Sequence, residues 1–394
     1  MKIKIILLLP VLVYSFGCKN VKKTDWPGLI EENIDFAVDQ YLGMENTLPD
    51  SLMPRSFEDG KLVTSGTGWW CSGFYPGTLW YLYEYTGNEK LKEIAARRTM
   101  LIEKEKFNTG THDLGFMLYC SFGNGYRLTG NEVFAGILRK GSESLMTRYN
   151  EVTGCIKSWD NNRWQFPVII DNMMNLEFLF WTTENGGDPG IYEKILSHSD
   201  HTIRNHYRPD FSSFHLVDYD TITGEVLLKQ TVQGYSDESA WARGQSWGLY
   251  GFTTVYRATQ DEKYLDHACN VADFLLNHPN MPKDMIPYWD YNAPDIPDAP
   301  RDVSAGAIMA SALVELSGYC DGVRASRYLE AAQTMIHSMA THYRATGKGE
   351  NGNFILNSSV GHLKQNSEVN VPLSYADYYF IEALMRLRSV VGFR

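Results

Sequence analysis

Hydrophobic and polar positions along this chain recur as paired segments. In GFYPGTLWYLYEYTGNEKL (73–91), small and aromatic residues run apolar on nearly every side, break at TGNE, and pass into a segment charged on one face. LGFMLYCSFGNGYRLTGNEVF (114–134) keeps the same order, and GQSWGLYGFTTVYRATQDEKYL (244–265) repeats it with ATQDE at the break. SAGAIMASALVELSGYCDGVRASRYL (304–329) and NMMNLEFLFWTTENGGDPGIYEKIL (172–196) are further copies, and ADYYFIEALMRL (376–387) reads as a sixth first member. A helix that is apolar all round must be buried. KLKEIAARRTMLIEKEK (90–106) and EKYLDHACNVADFLLNH (262–278) instead carry charge on one face, which suits surface helices. IEENIDFAVDQYL (30–42) adds one more outer helix before the first pair.

About six inner and six outer helices at a short period imply a closed array. The expected fold is all-α, an (α/α)6 toroid or six-hairpin barrel. Few segments alternate at the period of a strand. Thr, Asn or Asp ahead of Glu at the breaks supplies an N-cap and an acidic first turn for the outer helices. No Pro-, Gly- or Ser-rich linker divides residues 28–394, which are read as one domain.

Composition narrows the function. Of 394 residues, 44% are hydrophobic, enough for a large core, and 10 Trp, 24 Tyr and 18 Phe suit both that core and a cleft for sugar rings. The net charge is −11 and no Lys/Arg block stands out, which argues against nucleic acid as a partner. An acidic chain still binds an anion where a few cations converge on one cleft.

The N-terminal MKIKIILLLPVLVYSFGC (1–18) has two Lys, an apolar run and then small residues, the order of a secretory signal. Ser15-Phe16-Gly17-Cys18 resembles a bacterial lipobox, which implies a lipid anchor at Cys18, with residues 19–27 as a tether. The expectation is an exported lipoprotein of the periplasm or outer membrane of a Gram-negative bacterium. Cys71, Cys120, Cys155, Cys269 and Cys320 show no CxxC spacing, so buried thiols are expected and neither a metal nor a cofactor is implied.

On a toroid the inner-helix N-termini and the loops before them line one mouth. NTGTHDLGFM places His112 and Asp113 there, FPVIIDNMMNL places Asp171, TVQGYSDESAWARGQSW places Gln233, Asp237, Trp241, Arg243 and Gln245, and VPLSYADYYF places Tyr375 and Asp377. Asp237 and Asp377 read as caps, Glu177 and Glu382 as buried hydrogen-bonding groups, and His112 as a partner for its neighbour. Asp113 and Asp171 lead into apolar helices where solvent is scarce. Arg243, between Trp241 and Trp247, suits a carboxylate. Paired carboxylates, an Arg and aromatics in a ring-shaped cleft point to chemistry on an acidic sugar.

At these residues the chain resembles the unsaturated glucuronyl hydrolases, glycoside hydrolase family 88. WWCSGFYPGTLWYLYEYTG, HDLGFM, IIDNMMNL, SSFHLVDYD, QGYSDESAWARGQSWGLYG, PRDVSAGAI and YADYYFIEAL carry the likeness. It implies hydration of a Δ4,5-unsaturated uronate at the non-reducing end of lyase-generated oligosaccharides of glycosaminoglycan type. Asp171 would then be the general acid/base and Asp113 its partner. His215, Gln233, Trp241, Arg243 and Trp247 would line the uronate subsite, Trp70 would stack on the sugar, and Lys364 would reach the second sugar. Val232 stands where the family commonly has His. An unsaturated rhamnogalacturonide-type hydrolase and a non-catalytic toroid that binds acidic sugars remain open at this stage.

Overall fold

The TGNE break is a helix stop and a helix start in four residues. Gly87 (φ 66°) and Gly130 (φ 63°) end one helix in the left-handed region, and the next residues, Asn88 and Asn131, cap the following helix through their side-chain oxygens. In the ATQDE variant Gln260 (φ 54°) takes the glycine's place and Asp261 caps by accepting from the Lys263 amide at 3.1 Å. The cap is therefore Asn or Asp, while Thr86 and Thr129 turn their hydroxyls back onto their own helices.

The computed structural model describes residues 24–392. Its helices in chain order are α1 (Trp26–Glu45), α2 (Phe74–Thr86), α3 (Glu89–Leu101), α4 (Asn124–Thr129), α5 (Glu132–Met146), α6 (Leu176–Glu184), α7 (Ile191–His206), α8 (Ala242–Thr259), α9 (Glu262–Asn277), α10 (Val303–Ser317), α11 (Gly322–Ser338) and α12 (Ser374–Val390). A π-helical stretch Gly115–Gly123 leads into α4, and a 3₁₀ turn Ile170–Asn175 leads into α6. The inner, apolar layer consists of α2, the 115–123 stretch that leads into α4, α6, α8, α10 and α12; each packs on the next around a ring, and α12 closes the ring against α2. Odd-numbered helices form the outer layer with their charged faces outward. This is the (α/α)6 toroid.

Short strands fill the loops that precede inner helices. Strands β1 (Met53–Glu58) and β2 (Lys61–Ser65) form a hairpin before α2, and β3 (Tyr149–Asn150) and β4 (Cys155–Ile156) a second before the 170–175 turn. The next three, β5 (Pro167–Ile169), β6 (Leu216–Tyr219) and β7 (Val226–Gln230), form one antiparallel sheet, and β8 (Ser359–His362) with β9 (Ser367–Val371) a last hairpin before α12. The strands are two to six residues long, too short for an alternating pattern to register in the sequence. Their position is what matters: all decorate the mouth formed by the inner-helix N-termini.

Close approach of inner helices rests on small residues. A Cβ on Gly73 would lie 2.1 Å from the Phe116 carbonyl oxygen and 2.4 Å from that of Met117. On Gly115 it would lie 2.5 Å from the Asn175 side-chain oxygen, which accepts from the Gly115 amide at 2.8 Å.

Three expectations change. Asp25 caps α1 by accepting from the Gly28 amide, and Pro27 sits in the first turn, so the expected 19–27 tether already turns helical at Trp26. Residues 1–18, including Cys18, and 19–23 lie outside the described residues. Asp377 is not a cap. It is fully buried and accepts from the Ile355 and Leu356 amides, both at 2.9 Å, stapling that loop to α12. Asp237 likewise holds its own loop through the Thr231 amide. Cys269 and Cys320 bring their sulfurs to 3.4 Å as free thiols.

Gly73→Ala is expected to destabilise the protein by about 1–3 kcal/mol or more, because two backbone carbonyls must move. Gly136→Ala, inside α5 with no atom nearer than 4.0 Å to a new Cβ, is expected to stabilise by about 0.5–1 kcal/mol. Thermal melts of the two variants beside the parent check both signs.

Candidate active site

The N-terminal ends of all six inner helices face one mouth, where orphan amides and aligned dipoles favour negative charge. A cavity of about 190 Å³ lies there, lined by Arg55, Trp69, Trp70, His112, Asp113, Trp159, Ile169, Asp171, Gln233, Arg243, Gly361, His362, Gln365, Ser367, Glu368 and Tyr375. A second cavity of about 310 Å³ occupies the opposite end of the ring. Its charges are neutralised in place. Arg127 forms a two-point pair with Glu84 (2.7 Å each), Arg386 meets Glu315 at 2.9 Å, and Glu382 accepts the Tyr81, Tyr250 and Ser311 hydroxyls. The front cavity differs in holding buried polar atoms without partners.

Asp171 is the clearest of these. It is 9% exposed, and its Oδ2 has no hydrogen-bond partner. Ile169, Ile170 and Met174 are buried around it. Burial raises its pKa to about 7. Arg243 opposes the rise, the Asp113 charge adds to it, and its own amide and Trp247 oppose it further. The pairing of β5 with β6 puts this carboxyl opposite His215: the Ile170 amide donates to the His215 carbonyl at 3.0 Å, and His215 Nε2 lies 3.8 Å from Asp171 Oδ2.

The tautomer of His215 follows from its other nitrogen. Nδ1 accepts from the backbone amides of Val232 (3.0 Å) and Gln233 (3.2 Å), so it carries no proton. Burial holds the ring neutral, and the remaining proton therefore sits on Nε2, facing Asp171. Val232 serves through its backbone and is absent from the cavity wall. Gln245 fixes the approach to His215 by bonding the Ser213 amide (2.9 Å), carbonyl (3.1 Å) and hydroxyl (2.9 Å).

Asp113 accepts from the Thr111 hydroxyl at 2.6 Å and lies 3.3 Å from His112 Nε2. His112 Nδ1 meets the Asn172 side-chain oxygen at 2.9 Å. Asn172 uses its amide nitrogen on the Ile156 carbonyl (2.8 Å) and the Ser158 hydroxyl (3.0 Å), which leaves its oxygen to accept from His112. With its proton on Nδ1, His112 turns a lone pair towards Asp113. That contact is attractive only when a proton lies between the two.

Arg243 is almost fully engaged by the protein. Nη1 donates to Asp302 (3.1 Å) and the Val360 carbonyl, and Nη2 to Gln233 Oε1 (2.6 Å) and the Gly361 carbonyl (2.7 Å). Its guanidinium stacks 4.5 Å from the Trp241 ring and 5.6 Å from Tyr375. Trp247 is not its second aromatic neighbour. That side chain is fully buried one turn on, against Phe116 and Tyr379. Trp70 forms an aromatic wall with Tyr375 (4.8 Å) and Phe116 (5.5 Å).

Of the residues singled out in the sequence, Trp70, Asp113, Asp171, Gln233 and Arg243 line the cavity. His215, Trp241 and Trp247 stand behind them, and Lys364 is exposed outside the wall. Sequence reasoning did not place Arg55, Trp69, Trp159 or Glu368 at the site, nor Asp302 as the Arg243 counter-ion, although Trp69 and Asp302 lie in motifs that carry the family likeness. Four of these come from loops and hairpins outside the repeat. Asp302 also caps α10, accepting from the Ser304 amide at 3.1 Å. Among the described residues no group of three or more His, Cys, Asp or Glu side chains is placed to hold a metal ion.

The model of Glycosyl Hydrolase Family 88 matches residues 47–385. The chain is 45% identical over 326 residues to an unsaturated glucuronyl hydrolase of Formosa agariphila, covering 82% of this chain and 80% of that protein. It is 32% identical over 372 residues to an unsaturated chondroitin disaccharide hydrolase of Streptococcus pneumoniae, covering 91% and 93%. A crystal structure of an unsaturated glucuronyl hydrolase specific for heparin superposes with a TM-score of 0.91 at 43% identity, covering 93% of this chain and 98% of the other. With the match running from β1 into α12, through all six inner helices and the mouth they carry, the chain belongs to glycosyl hydrolase family 88.

Proposed function

We propose that the protein releases a Δ4,5-unsaturated uronate from the non-reducing end of glycosaminoglycan-type oligosaccharides produced by a lyase. The single observation that carries the chemistry is Asp171, a nearly buried carboxyl with one free oxygen and a pKa of about 7 in a cavity of sugar-ring size. Relatives specific for heparin or named for chondroitin disaccharides support the substrate class.

The vinyl ether of such a uronate is activated by a proton at C4. Asp171 in its acid form donates that proton, and positive charge develops at C5, shared with the ring oxygen. Water then adds at C5 and gives its proton to the Asp171 carboxylate, restoring the acid. The C5 hemiketal opens to a ketone, leaving a hemiacetal at C1 that collapses and frees the next sugar. His215, a neutral donor at Nε2, steadies the carboxylate between the two proton transfers. Asp113 is suited to hold ring hydroxyls, Trp70 to stack on the ring, and the mouth's helix ends to favour the uronate charge.

Export as a lipoprotein is part of the same reading, supported by the signal-like run of residues 1–18 and Cys18. A periplasmic position would place the enzyme where oligosaccharides too large for the cytoplasm are cut.

Asp171→Asn is expected to lower turnover at least 100-fold, a loss of about the size assigned to a general acid/base, with disaccharide binding kept. Ultraviolet loss from the conjugated uronate reads the rate, and more than a tenth of parental activity in the variant refutes the role. Because the acid form is required, kcat/KM is expected to fall above about pH 7. The same residue sets a stability trade. Its folded pKa is raised, so its contribution to stability is complete below about pH 4 and is lost as pH climbs towards 7. Asp171→Asn escapes that loss, and its melting temperature is expected to exceed the parent's most clearly at pH 8. For localisation, Cys18→Ser is expected to shift the protein from the membrane fraction to the soluble fraction on cell fractionation. Retention of the variant in the membrane fraction refutes the anchor.

A further inference from the structure

Four outer helices start on a side-chain cap. Asp25, Asn88, Asn131 and Asp261 each accept a backbone amide of the helix that follows. The start of α11 has no such tie: Asp321 stands at the cap position, and its side chain makes no bond to the first turn. The residue before it is Cys320, which is partly exposed.

Cys320 Sγ meets Cys269 Sγ at 3.4 Å. Cys269 is buried in the middle of α9, so the two sulfurs belong to neighbouring outer helices and lie 51 residues apart in the chain. Among the described residues no other pair of cysteine sulfurs is in contact. The surrounding contact between α9 and α11 is polar. Tyr328 donates to the Cys269 carbonyl and to Asp273, both at 3.0 Å, and Arg324 and Arg327 reach Asp273 at 3.2 and 3.1 Å. These bonds dock the first turns of α11 on α9 and so hold the sulfurs together. Partly exposed ion pairs of this kind add little stability. The strongest tie available at this seam is a covalent one, and a small side-chain rotation is enough to join sulfurs already in contact.

We propose that Cys269 and Cys320 are a modification site: they close into a disulfide when the exported chain meets an oxidising compartment, and the bond anchors the uncapped start of α11 to α9. The compartment rests on the export reading above; the geometry of the pair does not. Burial and the contact with Cys269 push the Cys320 thiol up to about 12, so its thiolate is scarce near neutrality and closure is slow without an exchange partner. That partner is a disulfide-form thiol oxidant. The Cys320 thiolate, on the more exposed sulfur, attacks one oxidant sulfur and displaces the other as a thiolate. Cys269 then gives up its proton and attacks Cys320 Sγ, which releases the second oxidant sulfur. Two cysteine thiols become one disulfide, one oxidant disulfide becomes two thiols, and the protons pass to the released sulfurs.

The test treats the purified protein with excess oxidised glutathione and maps its peptides without reduction. The expected result is a Cys269–Cys320 cross-link, with two titratable thiols lost. The melting temperature is expected to rise by about 2–5 °C, because the cross-link restricts the unfolded chain, and a reductant reverses the rise. Cys320→Ser is expected to abolish both the cross-link and the shift while turning over substrate like the parent. Glutathione on Cys320 without the internal bond, a cross-link to another cysteine, or a cross-link with no thermal shift overturns the proposal. Thiol trapping in exporting cells then reads the same bond in place. A pair that closes with glutathione but stays reduced in the exported protein also overturns it. Protein found only in the cytoplasm strikes the export reading instead, and the pairing then stands or falls on the glutathione result.

Discussion

Withholding water from one carboxyl is the constraint on which the site depends. Asp171 keeps its proton to near neutrality because the ring of inner helices closes around it. Arg243 is the cation that could cancel the effect. Its charge is partly spent on the fully buried Asp302, and its donors on Gln233 and the β8–β9 hairpin. A free arginine at that place would pull the Asp171 pKa back towards that of an ordinary carboxyl. The counter-ion of Arg243 therefore bears on the acidity of Asp171 without touching it.

The polarity of the helices organises the two ends of the ring in opposite senses. At the front, six N-termini meet and few basic side chains are needed to favour an anion, which is how a chain of net charge −11 accommodates an acidic sugar. At the rear, C-terminal ends meet, and Arg127, Arg257 and Arg386 gather there, each paired with a carboxylate. The rear cavity is larger, yet its charges are already satisfied among themselves.

Backbone groups do much of the positioning. Two amides fix the His215 tautomer, and they come from Val232 and Gln233, so the identity of the side chain at 232 is separable from the protonation of His215. Asn172, next to Asp171 in the chain, orders His112, while the Thr111 hydroxyl holds Asp113. Both carboxyls at the mouth thus have a buried histidine beside them, held neutral by burial, whose proton position follows from its own hydrogen bonds: Nε2–H faces Asp171 and the Nε2 lone pair faces Asp113.

The repeat of apolar and charged helices, and with it the toroid, was legible in the sequence alone, because burial and exposure leave a 3.6-residue pattern that survives in any one strand of text. The same logic located Asp113, Asp171, Gln233 and Arg243, since a ring of this type puts inner-helix starts at one mouth. The short hairpins were not legible, being too brief to show alternation. Nor were Arg55, Trp69 and Glu368, which meet only when residues more than 300 positions apart fold onto one rim. How Arg243 is engaged, and which tryptophan faces the cavity, is decided by partners from distant segments. Composition and spacing carry no record of those partners, so that choice belongs to the tertiary structure.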